Sequence, residues 1–360
     1  MASRVETGAL PQVSLGWLNR ARSRPGVLFA LGSLALAVTL VLGVGFGTVA
    51  IAPLDTLGIL AHRLLGLNLG DHWSAASETI VFELRLPRVL SAMVVGVGLA
   101  VAGATFQGLL RNPLADPYVL GTASGAALGA AIGILIPIRI ALFEFGLVQV
   151  FAFVGALLAV GVVYRLSRTG SLAPLTGLLL TGYAVGSLLA AGLALTMYAS
   201  GTNLRQIFFF LLGGFDGSSW LQLAVTTPVI LGGSLLILTR AGALNGFLLG
   251  EETAANLGVD VRRERVILLG LGSLVTAAAV SIAGLVGFVG LVVPHLVRLV
   301  VGPNARRVLP LSALLGASLM AAADLIARIL GEIPVGVVTA VIGAPFFLIL
   351  LRQTRSAYEL

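Results

Sequence analysis

The stretch from Leu84 to Ala127, LRLPRVLSAMVVGVGLAVAGATFQGLLRNPLADPYVLGTASGAA, restricts the chain to one environment. Its centre, Val89 to Phe106, is apolar, rich in small residues and free of charge. About 18 such residues, at about 1.5 Å rise each, nearly cross the hydrocarbon core of a bilayer. Arg-Leu-Pro-Arg bounds the run at one end and Arg-Asn-Pro-Leu-Ala-Asp-Pro at the other. Charges so placed mark the two water interfaces of a membrane span.

The rest of the chain repeats the message. Of its 360 residues 58% are hydrophobic and 10% charged. A soluble domain carries about 25% charged residues. Too little polar surface exists to cover a globule, so an integral, all-α membrane protein is expected. The 46 glycines suit spans whose backbones approach closely. With no cysteine, disulfides, iron–sulfur clusters and thiol chemistry are excluded. Every basic residue is arginine, so there is no Walker A lysine and the chain is not itself a P-loop ATPase. The net charge of +7 reads as membrane topology rather than nucleic-acid binding, because the arginines lie between apolar runs.

Residues 1–26 form a basic tail with Arg4, Arg20, Arg22 and Arg24. The run Val27 to Ala52 is too long for a signal-peptide core and reads as an uncleaved first span. A polar loop follows, Pro53 to Glu83, with a short amphipathic helix near Leu57–Leu67. The opening stretch is span 2, with Pro87 compatible with the first turn of a helix. Eight further apolar runs start near Val119, Phe145, Leu175, Leu221, Val266, Val286, Leu309 and Val335. A ten-span domain over residues 27–352 is the result, with a loop at about 240–265 and a tail at 353–360.

The arginines support that count. Ten spans put sixteen of them on the side of both termini and six, Arg63, Arg85, Arg88, Arg139, Arg205 and Arg328, on the other. The positive-inside rule then places both termini in the cytoplasm. There is also an internal echo. Val101-Ala-Gly103 precedes a Pro-containing polar segment and Ser124-Gly-Ala126, as Ile282-Ala-Gly284 precedes Pro294-His295 and Leu315-Gly-Ala317. Two units of five spans each are necessarily inverted relative to one another, a common transporter plan.

Few residues are candidates for chemistry. The loop RAGALNGFLLGEETAANLGVDVRRER contains Gly250-Glu-Glu-Thr-Ala-Ala-Asn-Leu-Gly258. Glu251 and Glu252 suit the first turn of a helix, and Gly258 its C′ position. Two short helices with a glycine break would make either a solvated connector or a docking knob for a cytoplasmic partner. Arg85, Arg88 and Arg328 lie at the outer ends of spans, where they either snorkel or form a basic rim. Asp324 is the main ionisable residue inside a span, one turn from Arg328. An ion-coupled carrier needs intramembrane carboxylates, and their scarcity disfavours one. His62, His72 and His295 stand far apart without metal-ligand spacing, so no metal site is expected. Ser124 has no histidine on a plausible partner span, which disfavours an intramembrane hydrolase. A transporter without its own energy source remains, and a cytoplasmic ATPase is the natural supplier.

RLPRVL at 85–90, GATFQGLLRNPLADPYVLGTASGAALGA at 103–130 and GFVGLVVPHLVRL at 287–299 resemble the permease subunits of ABC importers for iron–siderophores, haem and vitamin B12. DLIAR at 324–328 and IPVGVVTAVIGAPFFLILL at 333–351 do so too. The resemblance covers roughly residues 27–352. It implies the fold of a type II importer permease and a homodimer in the bacterial inner membrane. It also implies two partner ATPase subunits, which bind the ATP and magnesium, and a periplasmic binding protein that delivers an iron chelate or cobalamin. Carried over by motif, docking of the binding protein falls on Arg85, Arg88 and Arg328. Contact with the ATPase falls on Gly250, Glu251, Glu252, Ala254, Ala255, Leu257 and Gly258. An inner gate falls on Asn112 and Leu114 and on Leu175 and Thr176, the last two differing from the family in residue type. Tyr183, Ser187 and Thr196 in span 5 are expected to face the translocation path. The alternative is an ion-coupled secondary transporter.

Overall fold

The computed structural model describes residues 24–67, 73–136, 146–168 and 175–358. Among these residues there are fourteen helices, two short 3-10 turns at Pro117–Leu120 and Gly201–Asn203, and no strand. They are α1 (Pro25–Gly45), α2 (Pro53–Leu65), α3 (Ala75–Leu109), α4 (Thr122–Leu135), α5 (Leu147–Ser167), α6 (Leu175–Ala199) and α7 (Leu204–Leu212). Then follow α8 (Trp220–Thr239), α9 (Ala241–Leu248), α10 (Glu251–Asn256), α11 (Val261–Ala283), α12 (Val289–Val301), α13 (Ala305–Ile329) and α14 (Val335–Tyr358). Seven are long and apolar enough to cross a membrane. Thr122–Leu135, Val289–Val301 and Val335–Ile349 are shorter apolar helices. Together these are the ten apolar helices expected from sequence.

The face holding the start of α1 and the end of α14 is called the near face, and the other the far face. Arg4, Arg20, Arg22, His72 and Arg139 lie outside the described residues. The last helix continues to Tyr358, beyond the expected end of the final span.

The centre of the bundle is α3, whose apolar window is buried almost throughout. It packs against α13, α11, α12 and α8. Its small residues allow this. A methyl group on Gly103 would overlap the backbone of Gly290 in α12, and one on Gly96 that of Gly316 in α13. Such approaches gain dispersion contacts where no hydrophobic drive exists between helices in lipid.

The start of α3 differs from expectation. Residues 75–83 are helical rather than loop, and Ile80–Arg85 is a π-helical segment. Ser74 caps the helix, accepting from the Ser77 N–H at 3.1 Å. Pro87 is therefore not in a first turn. A proline in a helix interior removes one N–H bond and crowds the carbonyl four residues before it. The wider turn just upstream is where that misfit is absorbed.

The two halves mirror each other. The third span of each is short, α4 with 14 residues and α12 with 13. The second span of the first half, α3, packs on the fourth of the second, α13. Likewise α11 packs on α5. Exchanging the halves preserves both pairings, as the sequence echo implies for an inverted repeat.

Candidate functional sites at the two faces of the bundle

On the far face, α3, α13 and the end of α1 meet around a group of charges. The Asp324 side chain is fully buried. Its Oδ1 accepts from Arg88 Nε at 2.9 Å, and its Oδ2 lies 3.0 Å from Arg328 Nε. Arg328 also donates to the carbonyls of Gly43 at 2.8 Å and Phe46 at 3.0 Å. Arg85 donates to the carbonyls of Val44 at 3.3 Å, Gly45 at 3.2 Å and Val49. These carbonyls lie where α1 unwinds and lose their helical partners. Two guanidiniums supply the missing donors.

The three arginines expected to form a docking rim thus have different surroundings. Arg85 and Arg328 are buried and turned toward α1, and as they stand neither offers a surface to a partner. Arg88 is only partly buried, and its Nη1 reaches two more exposed acids. These are Asp216 at 2.9 Å, before α8, and Glu332 at 3.0 Å, between α13 and α14. Arg85 and Arg88 are three residues apart on α3, yet Arg85 reaches the end of α1 while Arg88 reaches Asp324 in α13. Sequence reasoning found Asp324 but missed Asp216 and Glu332. Only the fold brings these turns together.

The near face carries the knob. Gly250, at φ 106°, separates α9 from α10. Glu251 and Glu252 begin α10, and its end is closed by two bonds, Gly258 N–H to Ala255 at 2.9 Å and Val259 N–H to Ala254 at 3.0 Å. Gly258 has φ 84°, as that closing motif requires. The knob is tied to the bundle at three points. Glu251 pairs with Arg265, which is buried in α11. Arg240 pairs with Glu264 at 2.9 Å. Asn245 donates to the Asn304 side chain at 3.1 Å and accepts from the Ala305 N–H at 2.7 Å. Of the residues expected to contact an ATPase, Glu252, Ala255, Leu257 and Gly258 are exposed and Glu251 partly so, whereas Ala254 is buried against α9. Leu249 is as exposed as Leu257, 65% each, and was not singled out from sequence. A leucine left open on a polar-flanked loop is the signal that could have found it.

The turn after α3 holds the other near-face candidates. Asn112 is exposed and accepts from the Leu114 N–H at 2.9 Å, while Leu114 is partly buried. Asp116 accepts from the Tyr118 N–H at 2.8 Å. Burial pushes its carboxyl up to about 6, against the lowering effect of that bond. The Tyr118 hydroxyl donates to the Val286 carbonyl at 2.9 Å and so ties this turn to the loop before α12. The segment Pro117–Leu120 also packs on α6. Thr176, at the start of α6, is exposed, and the Leu175 side chain lies outside the described residues.

Within α6, Tyr183 and Ser187 share one exposed face, the Ser187 hydroxyl donating to the Tyr183 carbonyl at 2.9 Å. Thr196 lies about 140° around the helix from Tyr183 and donates to the Gly192 carbonyl at 2.8 Å. The three residues expected on one path therefore do not share one face. Leu180, about 60° from Tyr183, is exposed on the same side of α6.

Residues 35–353 match the FecCD transport family. A cobalamin import system permease protein of Halobacterium salinarum is 47% identical over 278 residues, 77% of this chain and 74% of that protein. A hemin transport system permease protein of Yersinia pestis is 40% identical over 311 residues, 83% of this chain and 92% of that one. The fold superposes on an inward-facing metal-chelate type ABC transporter with a TM-score of 0.78 and 32% identity, over 91% of this chain and 99% of that one. The chain belongs to the FecCD transport family and is a multi-pass membrane permease of the ABC importer class.

Proposed function

We propose that this chain is the membrane subunit of an ATP-driven importer for cobalamin or an iron chelate such as haem or a ferric siderophore. It works as a homodimer in the inner membrane with both termini in the cytoplasm. Two partner ATPases, which hold ATP and magnesium, dock on the near face, and a binding protein delivers cargo to the far face. The carrying observation is the near-face knob. It is pinned to α11 and α13 by Glu251–Arg265 and Asn245–Asn304, and it leaves Leu249 and Leu257 open. A solvated connector needs neither rigid anchoring nor exposed leucines. A lever that passes the closing of an ATPase dimer to the spans needs both.

The 47% identity to a cobalamin permease favours a corrinoid cargo, and the hemin relative favours an iron chelate. Asp324 engages both Arg88 and Arg328, so it is not a free carboxylate for ion coupling. The exposed face of α6 with Tyr183 and Ser187 is assigned to the path at the dimer axis.

The test is ATP hydrolysis in proteoliposomes holding this chain with the ATPase and binding protein encoded beside it. Stimulation is expected from the binding protein loaded with one of cobalamin, haem or a ferric siderophore, and the stimulating cargo identifies the substrate. Solute uptake without any co-purifying ATPase, abolished by an ionophore, would overturn the reading in favour of a secondary transporter.

A further inference from the structure

A groove of about 400 Å³ lies between the last two turns of α1 and the helix α2. Val41, Val44, Phe46, Ile51, Leu57 and Leu60 are among its walls. An engineered cavity of about 150 Å³ is enough to stay dry and hold benzene. Val44, Gly45 and Val49 are among the lining residues, and a free carbonyl on any of them would draw water toward the groove. All three carbonyls are already bonded to Arg85. What remains is a slot whose lining is almost wholly apolar.

The surroundings identify the occupant. Outside the groove, α2 shows Leu54 and Leu65, and at its rim the half-open Leu57 and Leu64. Along α1, exposed Leu31, Leu34, Val38 and Val41 lead to the groove mouth. A span with such a stripe faces acyl chains, so the groove opens into the same medium. Its α1 wall, Leu40 to Gly45, lies within about 9 Å of the helix end. That is the depth at which an amphipathic helix rests in the boundary between headgroups and acyl chains.

We propose that α2 lies in the far-face leaflet and that the groove beneath it holds one acyl chain of a membrane phospholipid. The bound chain fills the space between α1 and α2, and Arg85 keeps that space dry.

The test fills the groove. A Cβ on Gly45 meets no atom within 4 Å, so Gly45→Leu grows into the slot without displacing backbone. Gly26, at the other end of α1, is equally open and exposed, and Gly26→Leu is the control. Native mass spectrometry is run on the detergent-purified chain after washing and addition of phosphatidylglycerol. The parent and Gly26→Leu are expected to retain a lipid that resists stripping, and Gly45→Leu to retain one fewer. Equal counts in all three would overturn the proposal. If Gly45→Leu does not fold, Leu57→Trp in vesicles of brominated-chain phosphatidylcholine replaces it, with the parent's own tryptophan signal subtracted. Quenching by the brominated chains is expected, and quenching by aqueous iodide instead would sink the assignment.

Discussion

Asp324 and Arg88 are separated by 236 residues and meet at 2.9 Å beneath the far face. The contact joins α13 to α3, the central helix, and Arg328 closes it from the other side at 3.0 Å. One fully buried carboxylate thus bridges two guanidiniums, and Arg88 finds further negative charge in Asp216 and Glu332.

Neutralising that carboxylate should unfold the far end of the bundle. Removing one partner of a buried pair costs about 3–5 kcal/mol, because the other charge stays buried without compensation. Asp324→Asn keeps the shape and removes the charge, so any loss is electrostatic. Thermal unfolding in detergent is expected to show a clearly lowered midpoint. A midpoint indistinguishable from the parent's would mean that Asp324 carries no structural charge.

The exposed acids around Arg88 should behave in the opposite way. Asp216 and Glu332 are largely open to solvent, and exposed pairs contribute about 0–1 kcal/mol. The double variant Asp216→Asn, Glu332→Gln should therefore keep its stability. If Arg88 docks a binding protein, these acids compete for it, and the variant should bind that protein several-fold more tightly. Affinity measured by surface plasmon resonance at low and moderate salt decides. Weaker binding would instead make the two acids part of the docking surface.

How much of this was open to sequence depends on the range of the interaction. The apolar run Val89 to Phe106 and the arginine asymmetry are local or additive signals, and the ten apolar helices follow from them. Gly258 could be placed at a helix end because its φ of 84° serves a motif closed within six residues of sequence. The surroundings of Arg85 and Arg328 were not legible in the same way. A terminal arginine in a span reads the same whether it snorkels or caps carbonyls of another helix. Only the tertiary fold brings the end of α1 to it. The helical start of α3 was missed for a different reason. Its residues Ala75 to Glu83 include four polar ones and a proline follows, a pattern that resembles a loop until a π-helical turn accommodates the proline.

The contact of Gly103 with Gly290 leaves no room for a side chain. Both partners are backbone on packed helices, so relief requires moving α3 away from α12. Overpacking a core costs about 1–3 kcal/mol where side chains can shift, and here they cannot. Gly103→Val should abolish recovery of monodisperse protein in fluorescence-detected size exclusion. Gly242→Val, at a position with no atom near a Cβ, should leave recovery unchanged. Normal recovery of Gly103→Val would show that the two helices are not held this closely.

Coupling through the knob can be separated from the stability of the spans. Glu251→Arg places a second positive charge against Arg265, which is buried in α11 and loses its ion-pair partner. The knob should then detach from α11, while the spans, with their contacts among α3, α11 and α13 intact, stay folded. Gly258→Val acts on the same element through the backbone. A β-branched residue at φ 84° is strained and should break the two closing bonds of α10. Gly258→Asn, which tolerates a left-handed backbone, should be far milder. In the reconstituted complex, Glu251→Arg and Gly258→Val are expected to lower uptake at least ten-fold with the thermal midpoint of the spans little changed. Gly258→Asn should retain most uptake. If all three variants transport like the parent, the knob is a connector, and the force must reach the spans by another contact on the near face.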